Sequence, residues 1–153
     1  MGPIGPAGPT GATGATGPGS VKTYRAVGTT DVTVAASTFA ALPQMSVTFT
    51  PLNSTVYVDF SASGTYAPTG GTVDRSIWFE LRLNGALIKE FDFQAGQSWN
   101  QWFSAFSYPV NVTVGASTTI DIRWATDGSA YTLYNNAGSQ SYAHRSLIVH
   151  DQP

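Results

Sequence analysis

From about residue 21 onward, apolar and polar side chains alternate with a period of two, the pattern of strands buried on one face only. Met45, Val47 and Phe49 share one face while Gln44, Ser46, Thr48 and Thr50 share the other. Val56, Val58 and Phe60 alternate with Thr55, Tyr57, Asp59 and Ser61, and Ile77, Phe79, Leu81 and Leu83 alternate with Ser76, Trp78, Glu80 and Arg82. The same parity runs through Phe106, Tyr108, Val110, Val112 and Val114, through Ile120, Ile122 and Trp124, and through Leu147 and Val149. Turn-forming clusters separate these runs: Ser63-Gly64, Pro68 to Gly71, Asn84-Gly85, Ala95-Gly96, Gly115, Asp127-Gly128 and Asn135 to Ser139. No stretch carries a helical period of useful length. Eight to ten short antiparallel strands in roughly 130 residues predict an all-β sandwich, and within that class an antiparallel jelly roll.

The Asn84-Gly85 turn sets the register of the strand that follows. A two-residue loop places Leu83 opposite Ala86 and turns Glu90 and Asp92 toward the face of Phe79 and Ile77, where unpaired carboxylates are costly. A three-residue loop over Asn84, Gly85 and Ala86 instead aligns Leu87, Phe91 and Phe93 with that face. The longer loop is the expectation, with Lys89 as the exception, at a sheet edge or in a subunit interface.

Before residue 20 the pattern is of another kind. Glycine falls at Gly2, Gly5, Gly8, Gly11, Gly14 and Gly17, and Pro3, Pro6, Pro9 and Pro18 each follow a glycine. Three polyproline-II chains wound together leave room at their shared axis only for a hydrogen side chain, so the Gly-X-Y phase is a statement about three chains. A flexible Gly/Pro/Thr linker has the same composition but no reason to keep phase. The sequence divides into a collagen-like stalk, residues 1–19, and a head domain, residues 20–153. At about 3.1 Å per residue the stalk spans roughly 55 Å when wound. Thr10, Thr13 and Thr16 occupy Y positions where proline would preorganise the rod, so the head is expected to hold the three chains in register.

Composition narrows the function. Of 153 residues only 10% are charged and the net charge is -2, which provides no basic surface for nucleic acid or anionic lipid. Hydrophobic residues at 42% and aromatics at 12% supply a core. Cysteine is absent, which removes disulfides, thiolate nucleophiles and Cys-based zinc sites. No segment reaches the length of a membrane span and no basic-then-apolar leader is visible. Pro3 and Pro6 do not fit a myristoylation signal after Met1-Gly2.

Candidate chemistry is sparse. Glu80 is expected opposite Glu90 on an outward face, with Arg82 two residues along; paired carboxylates serve glycoside hydrolysis, but on a solvated sheet Arg82 screens them. His144 and His150 have the same parity, yet six strand residues part them by about 20 Å, too far to share a metal within one chain. A three-fold axis gathering three copies of one histidine is the remaining route to a metal. No Gly-X-Ser-X-Gly elbow is present, and the Asn53-Ser54-Thr55 and Asn111-Val112-Thr113 sequons are attributed to chance. No catalytic residue, metal site or cofactor is assigned. Trp99, Trp102, Tyr131 and Tyr134 lie in or beside polar, amide-rich loops, a combination that suits the apolar faces and hydroxyls of sugars as well as protein interfaces. Trp102 and Phe103 serve equally as core or trimer-contact residues.

The triplets Gly8-Pro9-Thr10, Gly11-Ala12-Thr13 and Gly14-Ala15-Thr16, leading into a small β head, resemble the collagen-like fibres of bacteriophages and the hair-like glycoproteins of Bacillus spore surfaces. The plan is also similar to the complement C1q and tumour-necrosis-factor superfamily. Leu42 to Thr50 followed by Val56 to Gly64, and the ending Arg145 to Val149, resemble the heads of such proteins. The resemblance implies a homotrimer with its first and last strands close together near the stalk. It further implies a non-enzymatic structural or adhesive fibre on a virion surface, joined by its stalk to a particle or longer fibre, whose head meets a host surface glycan or protein. Repeats that begin at Gly2, with no anchoring leader before them, favour a virion fibre, or a truncated chain, over the spore. The alternatives are a spore-surface or C1q-like binding module and, from the carboxylate pair, a glycan-degrading enzyme.

Overall fold

The computed structural model describes residues 21–68, 75–95, 101–126, 131–139 and 143–153, so the six stalk glycines lie outside the described residues. Every regular element among the described residues is a strand, ten in all. In chain order they are β1 (Lys22–Val27), β2 (Asp31–Val34), β3 (Ala40–Phe49), β4 (Thr55–Pro68), β5 (Arg75–Leu83), β6 (Ala86–Ala95), β7 (Gln101–Asn111), β8 (Thr118–Thr126), β9 (Tyr131–Asn136) and β10 (Arg145–Asp151). Two antiparallel sheets form a β sandwich. The first runs β1-β10-β4-β9-β2 with β7 also paired to β4, and the second runs β3-β8-β5-β6.

The alternation read from sequence is the alternation observed. Val56, Val58, Phe60 and Ala62 of β4 and Leu147 and Val149 of β10 point inward, against Met45, Val47 and Phe49 of β3, Ile77, Phe79 and Leu81 of β5 and Ile120, Ile122 and Trp124 of β8. Each of the larger side chains gains roughly 1.5–3 kcal/mol from leaving water, and the Ala62 methyl about 0.8, before chain entropy is counted. Phe60 bridges the layers, with its ring centroid 5.0 Å from Phe79 and 5.2 Å from Phe106. One open side of the sandwich is closed by Phe91 of β6 stacked on Phe106 of β7 at 3.8 Å. Val114 keeps the parity of β7 but lies past its end, 54% exposed.

Two turn assignments resolve differently. The β5–β6 connection is a two-residue turn, Asn84 and Gly85, both at positive φ (50° and 82°), the geometry that suits the twist of a tight hairpin. Leu83 faces Ala86, as the shorter loop requires, but a bulge between Leu81 and Arg82 in the pairing restores the longer-loop register, so that Glu80 still faces Glu90 and Phe79 faces Phe91. The bulge thus keeps the carboxylates off the core face, although Glu80 is itself buried and not solvated as the sequence suggests. Lys89 is exposed on β6, the edge strand of its sheet, where lysine discourages further strand pairing.

Ser63-Gly64, read as a turn, lies inside β4, which continues to Pro68. The glycine serves close approach: a Cβ on Gly64 would overlap the Tyr134 carbonyl oxygen and lie 3.0 Å from the Trp102 ring. Here β4 passes from β10 to β9 as its neighbour while β7 remains on its other side. Gly64→Ala is expected to destabilise the protein by about 1–3 kcal/mol, read as a lowered urea midpoint with an unchanged slope.

Candidate functional site

Because Lys22 faces Asp151 across β1 and β10, both described termini lie at one end of the sandwich, the base. The loops 50–54, 84–85 and 112–117 join strands at this end, and the connections 28–30 and 35–39 lie at the opposite end, the apex. Strand β10 is anchored at both. At the base the buried Asp151 carboxylate accepts hydrogen bonds from the Leu52 amide (2.7 Å), the Asn53 amide (3.1 Å) and Asn53 Nδ2 (2.8 Å).

At the apex the Arg145 guanidinium is fully enclosed, at 0% exposure. It donates to the carbonyls of Pro43 (3.1 Å) and Thr30 (2.7 Å), to Thr30 Oγ1 (3.1 Å), to Gln44 Oε1 (2.8 Å) and to Asn135 Oδ1. These acceptors are all neutral. A buried charge is tolerated when every donor is matched, and Arg145 draws its acceptors from three separate parts of the chain. Burial lowers its pKa from the ordinary value, with Asp31 opposing the shift. Gln44 adopts φ 63°, uncommon for a residue with a side chain, and its Oε1 also accepts from the Thr29 amide at 2.9 Å. Gly28 lies against Arg145 so closely that any Cβ would overlap the guanidinium stem.

The candidate aromatic residues separate. Trp99 lies outside the described residues, and Tyr131 opens β9 opposite Pro68. Trp102 is buried, 4% exposed, with its ring against Trp124 and Phe79 (6.4 and 6.2 Å between centroids) and its Nε1 donating to the carbonyls of Thr65 (3.1 Å) and Tyr134 (3.2 Å). That leaves its ring within the core. Its neighbour Phe103 points the other way, 62% exposed, and lies 6.2 Å from the exposed His144 ring. Ser63 Oγ and His144 Nδ1 are 3.0 Å apart. Tyr134 is half-buried opposite Thr65 on β4. Phe103, His144 and Ser63 therefore meet on the apical half of the first sheet, with Tyr134 on the same face opposite Thr65, an assembly that strand parity places on one face but whose cross-strand register is not written in any single segment.

Glu80 faces both Glu90 and Arg123, is only 6% exposed and accepts a hydrogen bond from Arg82 Nε at 2.7 Å. The adjacent Asp121 carboxyl is raised above its ordinary pKa by burial, with Arg123 and Arg82 pulling it down. The two histidines have separate partners: His150 Nε2 lies 3.0 Å from Asp59 Oδ2. That pair joins neighbouring strands diagonally, since Asp59 directly faces Ile148. No group of three or more His, Asp or Glu disposed to hold a metal occurs among the described residues. Nor does any helix of the described residues have the length and apolarity to cross a membrane.

No protein-family model matches the chain, and no curated protein does. Among solved structures it is similar to dimeric latent PorU from Porphyromonas gingivalis, at 13% identity and a TM-score of 0.42, over 90% of this chain and 14% of that one. A likeness of that degree carries no functional argument.

Two outcomes follow from the apical anchors. Lysine lacks the planar fork of arginine, so Arg145→Lys orphans several acceptors and lowers stability by about 2–4 kcal/mol in chemical denaturation. Hydrogen bonds from the Ser139 side chain and from the Gly138 and Ser139 amides lower the Asp31 pKa, against some desolvation. The lowered folded-state value means this stabilisation is present above the ordinary carboxylate range and is lost as pH falls through the folded value. Exchange protection of the Gly138 amide is expected to decline over that acid interval in parent protein and to be weak at every pH in Asp31→Asn.

Proposed function

We propose that this chain is a homotrimeric, non-enzymatic fibre protein: a short collagen-like stalk carrying a jelly-roll head that meets a surface glycan or protein on a host. The observation that carries the reading is the unbroken glycine phase from Gly2 to Gly17, which has a physical purpose only when three chains share an axis. The strand order supports it. With β2 and β9 set aside, β1-β10-β4-β7 and β3-β8-β5-β6 remain, two four-stranded sheets wound as a jelly roll is wound. Because β1 begins at the base, a rod entering there leaves the apex free to face outward.

Glu80 is buried and already engaged by Arg82, which favours structural over hydrolytic use of the carboxylates. The exposed Phe103, beside His144 and Ser63, is the aromatic platform suited to a sugar face, in the role that sequence alone gave to its neighbour Trp102. Virion display is the preferred setting, with a spore surface as the alternative.

The full chain is expected to sediment as a trimer. On a bacterial glycan array, Phe103→Ala is expected to lose at least tenfold in binding while its melting temperature stays that of the parent, since exposed substitutions change stability by about 0.5 kcal/mol or less. Sedimentation as a single chain at working concentration would overturn the proposal.

A further inference from the structure

Trp78 stands in the outward row of β5, between Ser76 and Glu80, and is half-buried. It faces Asp92 of β6 on one side and the small Ala125 of β8 on the other. Trp102 and Trp124, the tryptophans of the core, lie ring against ring. Trp78 makes no ring contact and no side-chain hydrogen bond with any described residue.

The polar groups around it have unspent capacity. Asp92 and Glu90 are exposed on β6, and neither carboxylate forms an ion pair or hydrogen bond among the described residues. Glu80 differs, being buried and matched by Arg82 at 2.7 Å. Arg123 faces Glu80 from β8, one row along from Trp78. Its Nε is buried without a hydrogen-bond partner, its one ion pair among the described residues, with Asp121, is 4.0 Å long, and 38% of its side chain is exposed. Its guanidinium therefore keeps donors for a partner outside the chain.

From this arrangement we infer that the outward face of the second sheet around Trp78 binds a neutral pyranose. The C–H face of the sugar lies on the indole, while its hydroxyls donate to Asp92 and accept from Arg123. These two groups flank the ring from opposite sides, one directly across at about 5 Å between Cβ atoms and the other diagonally at about 7–8 Å. Charged sugars fit less well, since a carboxylate meets Asp92 and Glu90 and an ammonium meets Arg123. The inference goes beyond the fibre reading and does not rest on it, because the Phe103 platform belongs to the other sheet. A site one ring wide holds a single hexose with a Kd on the order of 1 mM, too weak to retain protein on a glycan array.

The test is a titration of the 15N-labelled full chain with the methyl glycosides of glucose, galactose, mannose and N-acetylglucosamine, followed through the indole N–H resonances. The chain has four tryptophans, and the Trp78 signal is the one missing from Trp78→Phe. At least one glycoside is expected to move that signal saturably with a Kd below about 10 mM. Asp92→Ala, at an exposed position that tolerates change, and Arg123→Gln are each expected to weaken the response at least threefold, while Phe103→Ala leaves it unaltered. The inference is overturned if no glycoside moves the signal up to about 50 mM, if Asp92→Ala titrates as the parent does, or if choline chloride moves the signal and the glycosides do not. A response lost in Phe103→Ala assigns the sugar to the first sheet, which overturns the inference and leaves the fibre reading standing.

Discussion

The constraint on which the fold depends is the double pairing of β4. Its residues Thr55 to Thr65 hydrogen-bond with β7 on one side, while on the other Tyr57 to Ala62 pair with β10 and Thr65 to Pro68 with β9. A strand satisfied on both edges over most of its length cannot slip by one residue without exchanging its buried row of Val56, Val58, Phe60 and Ala62 for Tyr57, Asp59 and Ser61. The first sheet takes its register from that row, and the second is positioned on it through the contact of Phe60 with Phe79.

Strand identity and facing were legible because burial on one side leaves a period of two, and the rows from Met45 to Val149 read correctly in the folded protein, except that Val114 falls beyond the end of β7 and is exposed. What was not legible depends on partners distant in sequence. Gly64 looks like a turn because glycine usually marks one, yet it is placed by a carbonyl seventy positions away in β9. The β5–β6 hairpin was half readable: avoiding buried carboxylates gave the correct Glu80–Glu90 pairing, but a bulge, not a longer loop, provides the extra residue.

The candidate site shows the same division. Trp102 and Phe103 are adjacent, and only the inward or outward phase of β7 decides which of them is core and which is surface. Sequence marked the aromatic cluster but not that phase at the strand's beginning, where polar turn residues precede it. Arg145 gave no local signal at all, since its acceptors come from Thr30, Pro43, Gln44 and Asn135. Asp59 and His150 likewise meet only after β10 has joined β4.

The pairing of β1 with β10 has a consequence for synthesis. On a ribosome β1 emerges with no neighbour, since β2 to β9 are all made before its partner β10. Through translation both the β1 edge and one flank of β4 stay open, and such edges are templates for wrong association. A chain that stops before β10 therefore keeps nearly all its core residues but carries two unguarded edges, a product far more prone to clump than the loss of one strand suggests.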